Sequence, residues 1–180
     1  MQKHLYILTG GSRGMGLAIA HQLLQAEHEL ICISRHANEG LAAAAKKAKV
    51  SLSQWTQDLS DGQAASERLG HWLQQQDPAP WCSATLINNA GTIPPIAPLS
   101  QAHPQDLAQA LRVGLEAPMQ LFARFLGATE PWGLPRKVLN ISSGLGRRAM
   151  ASQAAYCAAK AGMDHFTRCL AMDEALKPQG

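Results

Sequence analysis

Tyr156 and Lys160 stand four residues apart, and Ser143 lies thirteen residues before the tyrosine. A spacing of four places two side chains on one face of a helix. A phenol titrates near ~10, too high to exchange protons readily at neutral pH. A nearby ammonium favours the phenolate, and a downward shift of ~3 units requires roughly 4 kcal/mol of differential interaction. Burial alone acts in the opposite sense, so charge must dominate. A serine just past a strand can hold a carbonyl oxygen against the tyrosine. Tyr-x-x-x-Lys alone recurs by chance, and the upstream serine makes the set specific. The chemistry such a trio suits is proton exchange with a carbonyl or an alcohol.

A second constellation is Thr9-Gly10-Gly11-Ser12-Arg13-Gly14-Met15-Gly16. Gly10, Gly14 and Gly16 form a GxxxGxG pattern between an apolar strand and a helix. Glycine permits the tight turn and lets backbone approach a pyrophosphate, which the helix N-terminus attracts. A glycine-rich turn can be only a turn; its place between strand and helix favours a dinucleotide. The positive nicotinamide ring of an oxidised cofactor would also favour a phenolate at Tyr156. The second strand ends Cys32-Ile33-Ser34-Arg35-His36, without the carboxylate that NAD sites place against the ribose. Arg35 can form a charged fork with a 2′-phosphate, and Arg13 can approach from the other side. The expectation is NADP(H) in preference to NAD(H), the alternative being two solvated surface arginines. No Gly-Lys-Ser/Thr closes the loop, which excludes a P-loop hydrolase.

These clusters need elements to hold them. Apolar runs at His4–Thr9, Glu29–Ser34, Val50–Trp55, Ala84–Ile87 and Lys137–Ile141 read as strands. Helical spacing marks Met15–Ala26, Leu41–Lys49, Asp61–Gln76, Pro104–Thr129 and Gln153–Leu176, with a kink at Pro118. Pro94, Pro95 and Pro98 stiffen the loop between. Strands alternating with helices imply an α/β fold: a Rossmann-type, doubly wound parallel sheet covered on both faces. Such sheets bind ligands at the carboxyl ends of their strands, where the clusters fall. The expectation is one domain over residues 1–180, without repeats or linkers.

The motifs together resemble the classical short-chain dehydrogenase/reductase family, over the whole chain. Its TGxxxGxG motif matches Thr9, Gly10, Gly14 and Gly16. Its NNAG motif matches Asn88-Asn89-Ala90-Gly91, and its adenine-contacting aspartate matches Asp58 in Gln57-Asp58-Leu59. Ser143, Tyr156 and Lys160 match its catalytic residues. The stretch Tyr156-Cys157-Ala158-Ala159-Lys160 is most similar to the sepiapterin reductase or benzil reductase branch. The resemblance implies a cofactor-binding set of Thr9, Gly10, Ser12, Arg13, Gly14, Met15, Gly16, Arg35, Asp58, Leu59, Asn88, Ala90, Gly91, Tyr156 and Lys160. It implies hydride transfer between NADPH and a ketone, aldehyde or secondary alcohol. Ser143 would orient the carbonyl, Tyr156 protonate it, and Lys160 lower the tyrosine pKa and hold the nicotinamide ribose. It also implies homo-oligomerisation, as dimer or tetramer, through the long and final helices. Their apolar residues, including Leu107, Leu111, Leu115, Phe122, Phe166 and Leu170, equally suit a core.

Two departures qualify this. Gly114 stands where the family usually has an asparagine that helps hold a proton-relay water, so a weakened or rerouted relay is expected. Pro118 leaves the Gly114 carbonyl without its donor four residues on. The chain also ends at Lys177-Pro178-Gln179-Gly180, where the family continues into further strands and a substrate-covering loop. C-terminal truncation, with the last strands missing, is the expectation. A non-catalytic NADP-binding relic or interaction module therefore stays open beside the enzyme.

Bulk properties exclude other classes. Of 180 residues, 46% are hydrophobic and 16% charged, as in a folded soluble protein. The net charge of +3 is scattered, without a nucleic-acid face. Cys32, Cys82, Cys157 and Cys169 form no metal-ligand pattern with the histidines; reduced thiols in a cytoplasmic protein are expected. No leader peptide or membrane span is read.

Overall fold

The computed structural model describes residues 2–175. Within them β1 (Lys3–Thr9), β2 (His28–Ser34), β3 (Ser51–Thr56), β4 (Trp81–Asn88) and β5 (Arg136–Asn140) form one sheet. All pairings are parallel, in the order β3-β2-β1-β4-β5. The chain winds outward from β1 through β2 and β3, then crosses back to β4 and β5. That reversal opens a crevice between the carboxyl ends of β1 and β4, where such sheets bind ligands.

The three central strands β1, β2 and β4 are covered on both faces, which explains their largely apolar sequences, whereas β3 and β5 at the edges are partly exposed. Leu8, Leu30, Cys32 and Ile87 face α1 (Gly14–Gln22) and α2 (Glu39–Ala48) through Ala20 and Leu41. Leu5, Ile7, Ile31, Ile33 and Leu86 point the other way. They meet Leu69 and Leu73 of α3 (Gly62–Gln74) and Leu121, Phe122 and Phe125 of α5 (Ala117–Thr129). Phe166 and Leu170 of α6 (Ala154–Ala175) pack against this larger cluster. Phe122, Phe166 and Leu170 are thus core contacts, whereas Leu111 is 40% exposed.

Local signals explain where helices start. Asn38 accepts from Leu41 N at 2.8 Å and Asp61 from Ala64 N at 3.0 Å, capping α2 and α3. Glu39 in the first turn of α2 and Lys46 and Lys47 in its last match the helix dipole. The N-cap position of α1 is Arg13, whose side chain makes no capping bond, so this end keeps donors for an anion.

The structure differs from the sequence reading at several boundaries. β4 starts at Trp81, earlier than expected, because Cys82 and Ser83 dilute an apolar signal that pairing with β1 restores. The expected helix Met15–Ala26 ends at Gln22, where Leu23 and Leu24 turn the chain toward β2. The single helix expected from Pro104 to Thr129 is α4 (Pro104–Leu111), a wider π-type turn over Arg112–Glu116, and then α5. Pro118 is the cause, since it offers no N–H to the carbonyls before it. The expected last helical residue, Leu176, and the Lys177–Gly180 tail lie outside the described residues.

Candidate active site

The β1–α1 loop is shaped by close backbone contacts. Gly10 has φ of +71° and Gly14 of +54°, the left-handed region that favours glycine. A Cβ on Gly16 would collide with the Gly10 carbonyl and the Asn89 amide. A Cβ on Gly14 would meet nothing within 4 Å, because this residue faces open space. Asn38 braces the loop from α2, donating from Nδ2 to the Ser12 carbonyl at 2.9 Å.

In front of this loop lies a cleft of about 730 Å³, within the size range of small-molecule sites. Gly10, Ser12, Arg13, Gly14, Met15 and Gly16 line it, with Arg35 and His36 after β2. Asp58 and Leu59 close it beyond β3, and Ala90 and Gly91 beyond β4. Ser34 also lines the cleft, and its Oγ is buried without a hydrogen-bond partner. The Asp58 carboxyl is held below the ordinary range, first by the Ser60 backbone N–H at 2.8 Å. Partial burial opposes this; the Ser60 side chain and the Arg35 charge add to it. An uncapped helix end, an orphaned hydroxyl, the Arg13, Arg35 and His36 side chains and a glycine opening make a donor set that fits a dinucleotide phosphate backbone.

Thr9 and Asn88, expected at the ligand, lie under the cleft and not on its wall. Both are buried, and their polar atoms are spent within the protein. Thr9 Oγ1 donates to Asn88 Oδ1 at 3.0 Å and accepts from the backbone amides of Asn89 and Ala90, each at 3.0 Å. This hydroxyl joins the glycine loop to the end of β4.

None of Ser143, Tyr156 and Lys160 lines the cleft; Lys160 sits beside the Tyr156 ring, and Ser143 follows two residues after Ile141, whose carbonyl Lys160 holds. Lys160 is only 5% exposed. Its Nζ donates to the Ile141 carbonyl at 2.7 Å and lies 5.8 Å from the centre of the Tyr156 ring. A side chain begun on Gly91 would stand 4.0 Å from that nitrogen, so Lys160 abuts the cleft's end wall. Burial pulls the Lys160 ammonium below its ordinary pKa, and the Asp164 charge partly opposes this. An ammonium has three donors, and Ile141 engages one of them. Ser143 begins a short turn, Gly144–Gly146, with its Oγ accepting from Leu145 N at 3.2 Å. Gly114 is buried in the π-type turn, and a Cβ there would lie 3.1 Å from that of Ala159. Its missing side chain lets α6 approach closely.

Sequence reasoning passed over Asn89, whose Nδ2 donates to the carbonyls of Thr9 and Gly10 at 3.1 and 3.3 Å. It also missed Ser34, His36, Gln57, Gln109 and Val113, which reach the cleft from separate elements. Position after a strand end could have flagged Ser34, His36 and Gln57; no local pattern marks Gln109 or Val113.

A family model for short chain dehydrogenase matches residues 4–178. Benzil reductase ((S)-benzoin forming) of Bacillus cereus is 35% identical over 171 residues, covering 95% of this chain and 69% of that protein. The NADPH-dependent pterin aldehyde reductase of Arabidopsis thaliana is 27% identical, with 93% of this chain and 67% of that one covered. Among solved structures, a short-chain dehydrogenase/reductase from Burkholderia vietnamiensis superposes with a TM-score of 0.85 at 35% identity, covering 95% of this chain and 80% of that one. The family model spans nearly the whole chain, and the chain belongs to the short-chain dehydrogenase/reductase family of oxidoreductases.

Proposed function

We propose that this protein is an NADP(H)-dependent carbonyl reductase acting on a small ketone or aldehyde, and on the alcohol in reverse. The observation that carries this is Lys160: a buried ammonium with one donor on Ile141, close to both the Tyr156 ring and Gly91 of the cleft wall. NADPH, held by the glycine loop, Arg35 and Asp58, supplies the hydride when bound. Ser143 Oγ holds the substrate carbonyl by a hydrogen bond. The Tyr156 hydroxyl passes its proton to the carbonyl oxygen as negative charge develops there. Lys160 stabilises the resulting phenolate and offers its remaining donors to a ribose hydroxyl. Replenishment of the proton runs past the π-type turn. Gly114 brings no side chain, and Pro118 withholds an N–H from the carbonyls before it, so a backbone oxygen takes the place of an amide side chain.

Preference for NADP(H) rests on Arg13, Arg35 and His36 along the cleft, with no carboxylate at the end of β2. The relatives named for benzil and pterin aldehyde reduction make an aromatic diketone and an aromatic aldehyde the first substrates to try. Among the described residues no helix is long and apolar enough to cross a membrane.

Calorimetric titration with NADPH and NADH, beside carbonyl-reduction assays, tests the reading. Wild type binds NADPH at least tenfold tighter, and Arg35→Ser removes about 10-fold or more of that advantage, the worth of a charged hydrogen bond. Tyr156→Phe binds NADPH nearly unchanged and loses turnover by about 10³-fold. Full turnover by Tyr156→Phe refutes the mechanism; equal or tighter NADH binding refutes the preference. Cofactor binding without turnover by wild type supports a non-catalytic module instead.

A further inference from the structure

The catalytic helix α6 is tied to the carboxyl end of β5 at two points. One is the bond from Lys160 Nζ to the Ile141 carbonyl. The other lies seven residues further, about 10 Å along the helix, where Asn140 Nδ2 donates to Thr167 Oγ1 at 2.8 Å. That hydroxyl in turn donates to the Met163 carbonyl at 2.8 Å. In the other direction, Asn140 Oδ1 accepts from Asn88 Nδ2 at 3.1 Å. Asn88 Oδ1 accepts from Thr9 Oγ1 at 3.0 Å, and Thr9 Oγ1 accepts from Ala90 N at 3.0 Å. Every link donates in the same sense, from the Ala90 amide at the cleft wall to the Met163 carbonyl in α6. In such a chain each bond fixes the orientation of the next and polarises it.

An apolar contact between β5 and α6 would bind them without exposing polar groups to loss of a partner. Dispersion is non-directional and spread over many weak contacts. A single donor facing a single acceptor is directional and fixes the helix along its axis more sharply. We infer that Asn140 and Thr167 are positioning residues that fix the height of Tyr156 and Lys160 against the Ala90–Gly91 wall. The kinetic consequence rests on the reductase reading; the structural consequence does not.

Thr167→Val keeps the branched shape while removing the acceptor for Asn140 and the donor to Met163. In the cofactor-free protein, the Lys160 ammonium, followed by NMR, should titrate higher than in wild type as its burial relaxes. The Asn89 and Ala90 amides should exchange about tenfold faster relative to the amides of β4. In the NADPH-loaded enzyme kcat should fall about 10–100-fold, with KM for the ketone within about threefold, as expected for a misplaced proton donor. The alkaline limb of the kcat profile should move as well. Thr167→Ser should restore every readout. Thr167→Ala serves as a second variant where valine is not accommodated. A lower Tm with Lys160 titration, relative amide exchange and pH profile all as in wild type would overturn the proposal. Failure of wild type to reduce any carbonyl sinks the reductase reading and leaves the Lys160 and exchange measurements to decide this one.

Discussion

The two flanks of the crevice are built from different materials. Toward β2 and β3, the wall at the glycine loop is largely backbone: two left-handed glycines, a helix end without a side-chain cap, and a glycine whose Cβ would strike a carbonyl. Toward β5 and α6, side chains do the positioning through Asn88, Asn140, Thr167 and Lys160. Backbone suits a ligand whose phosphates need N–H groups at a fixed place. Chemistry needs groups whose pKa and height can be set separately, and only side chains provide that. Thr9 joins the flanks, its hydroxyl serving both the Asn89 and Ala90 amides just after β4 and the polar chain.

That contrast can be broken on its backbone side first. Gly16→Ala forces a Cβ into the Gly10 carbonyl. It should cost about 3 kcal/mol, as overpacking does, and abolish NADPH binding; urea unfolding and calorimetry read both. Gly14→Ala meets open space, so only its positive φ resists, and it should cost about 1 kcal/mol. Equal effects of the two substitutions would refute the cradle.

The joint between the flanks comes next. Thr9→Val removes a hydroxyl that makes three bonds at 0% exposure. It should destabilise the fold by about 2 kcal/mol and weaken cofactor binding and turnover together. A loss confined to one of the two would show that the flanks are not joined there.

On the side-chain flank, the folded pKa of Lys160 lies below its ordinary 10.5 because of burial. Between the lowered folded value and the unfolded value the unfolded chain binds more protons, so stability contributed here rises with pH across that window. Below the window the cost of burying the charge is borne in full. Lys160→Met should therefore be inactive yet more stable near neutrality by roughly 1 kcal/mol. The gap should shrink as pH climbs through the window, as chemical unfolding at several pH values would show. A destabilised Lys160→Met would mean that the Ile141 bond outweighs burial.

The smallest effect concerns the sheet itself. Burial pushes the Cys32 thiol up to about 12, whereas Cys169 is exposed. Alkylation of the native protein near pH 8 should label Cys169 and spare Cys32, with no change in cofactor affinity. Labelling of native Cys32 would show that the α1–α2 face opens.

Much of this was legible in the sequence, and what was not has physical reasons. The glycine loop, Ser143, Tyr156 and Lys160 stood out because their spacing is local and follows strand ends, and Asp58 because it matches a family motif. The parallel sheet followed from alternation of strands and helices. Asn140 and Thr167 did not, since their meaning comes from partners 52 and 27 residues away. The π-type turn was read only as a kink, because Pro118 signals a missing donor but not how the carbonyls rearrange. Thr9 and Asn88 read as ligand contacts because they sit in motifs whose neighbours line the cleft; only burial reveals that they hold the wall from beneath. Gly114 read as a loss, and close packing on Ala159 accounts for its small size.

The most direct test of the account follows the hydride itself. Wild-type protein is incubated with NADPH deuterated at the transferable C4 position and an aromatic diketone or aldehyde, and the product alcohol is analysed by mass spectrometry and NMR. Deuterium on the new carbinol carbon, in amounts matching the NADPH consumed and absent with Tyr156→Phe, is the predicted result. Tight NADPH binding with no deuterium in any product would contradict the assignment of Ser143, Tyr156 and Lys160 as a working catalytic set.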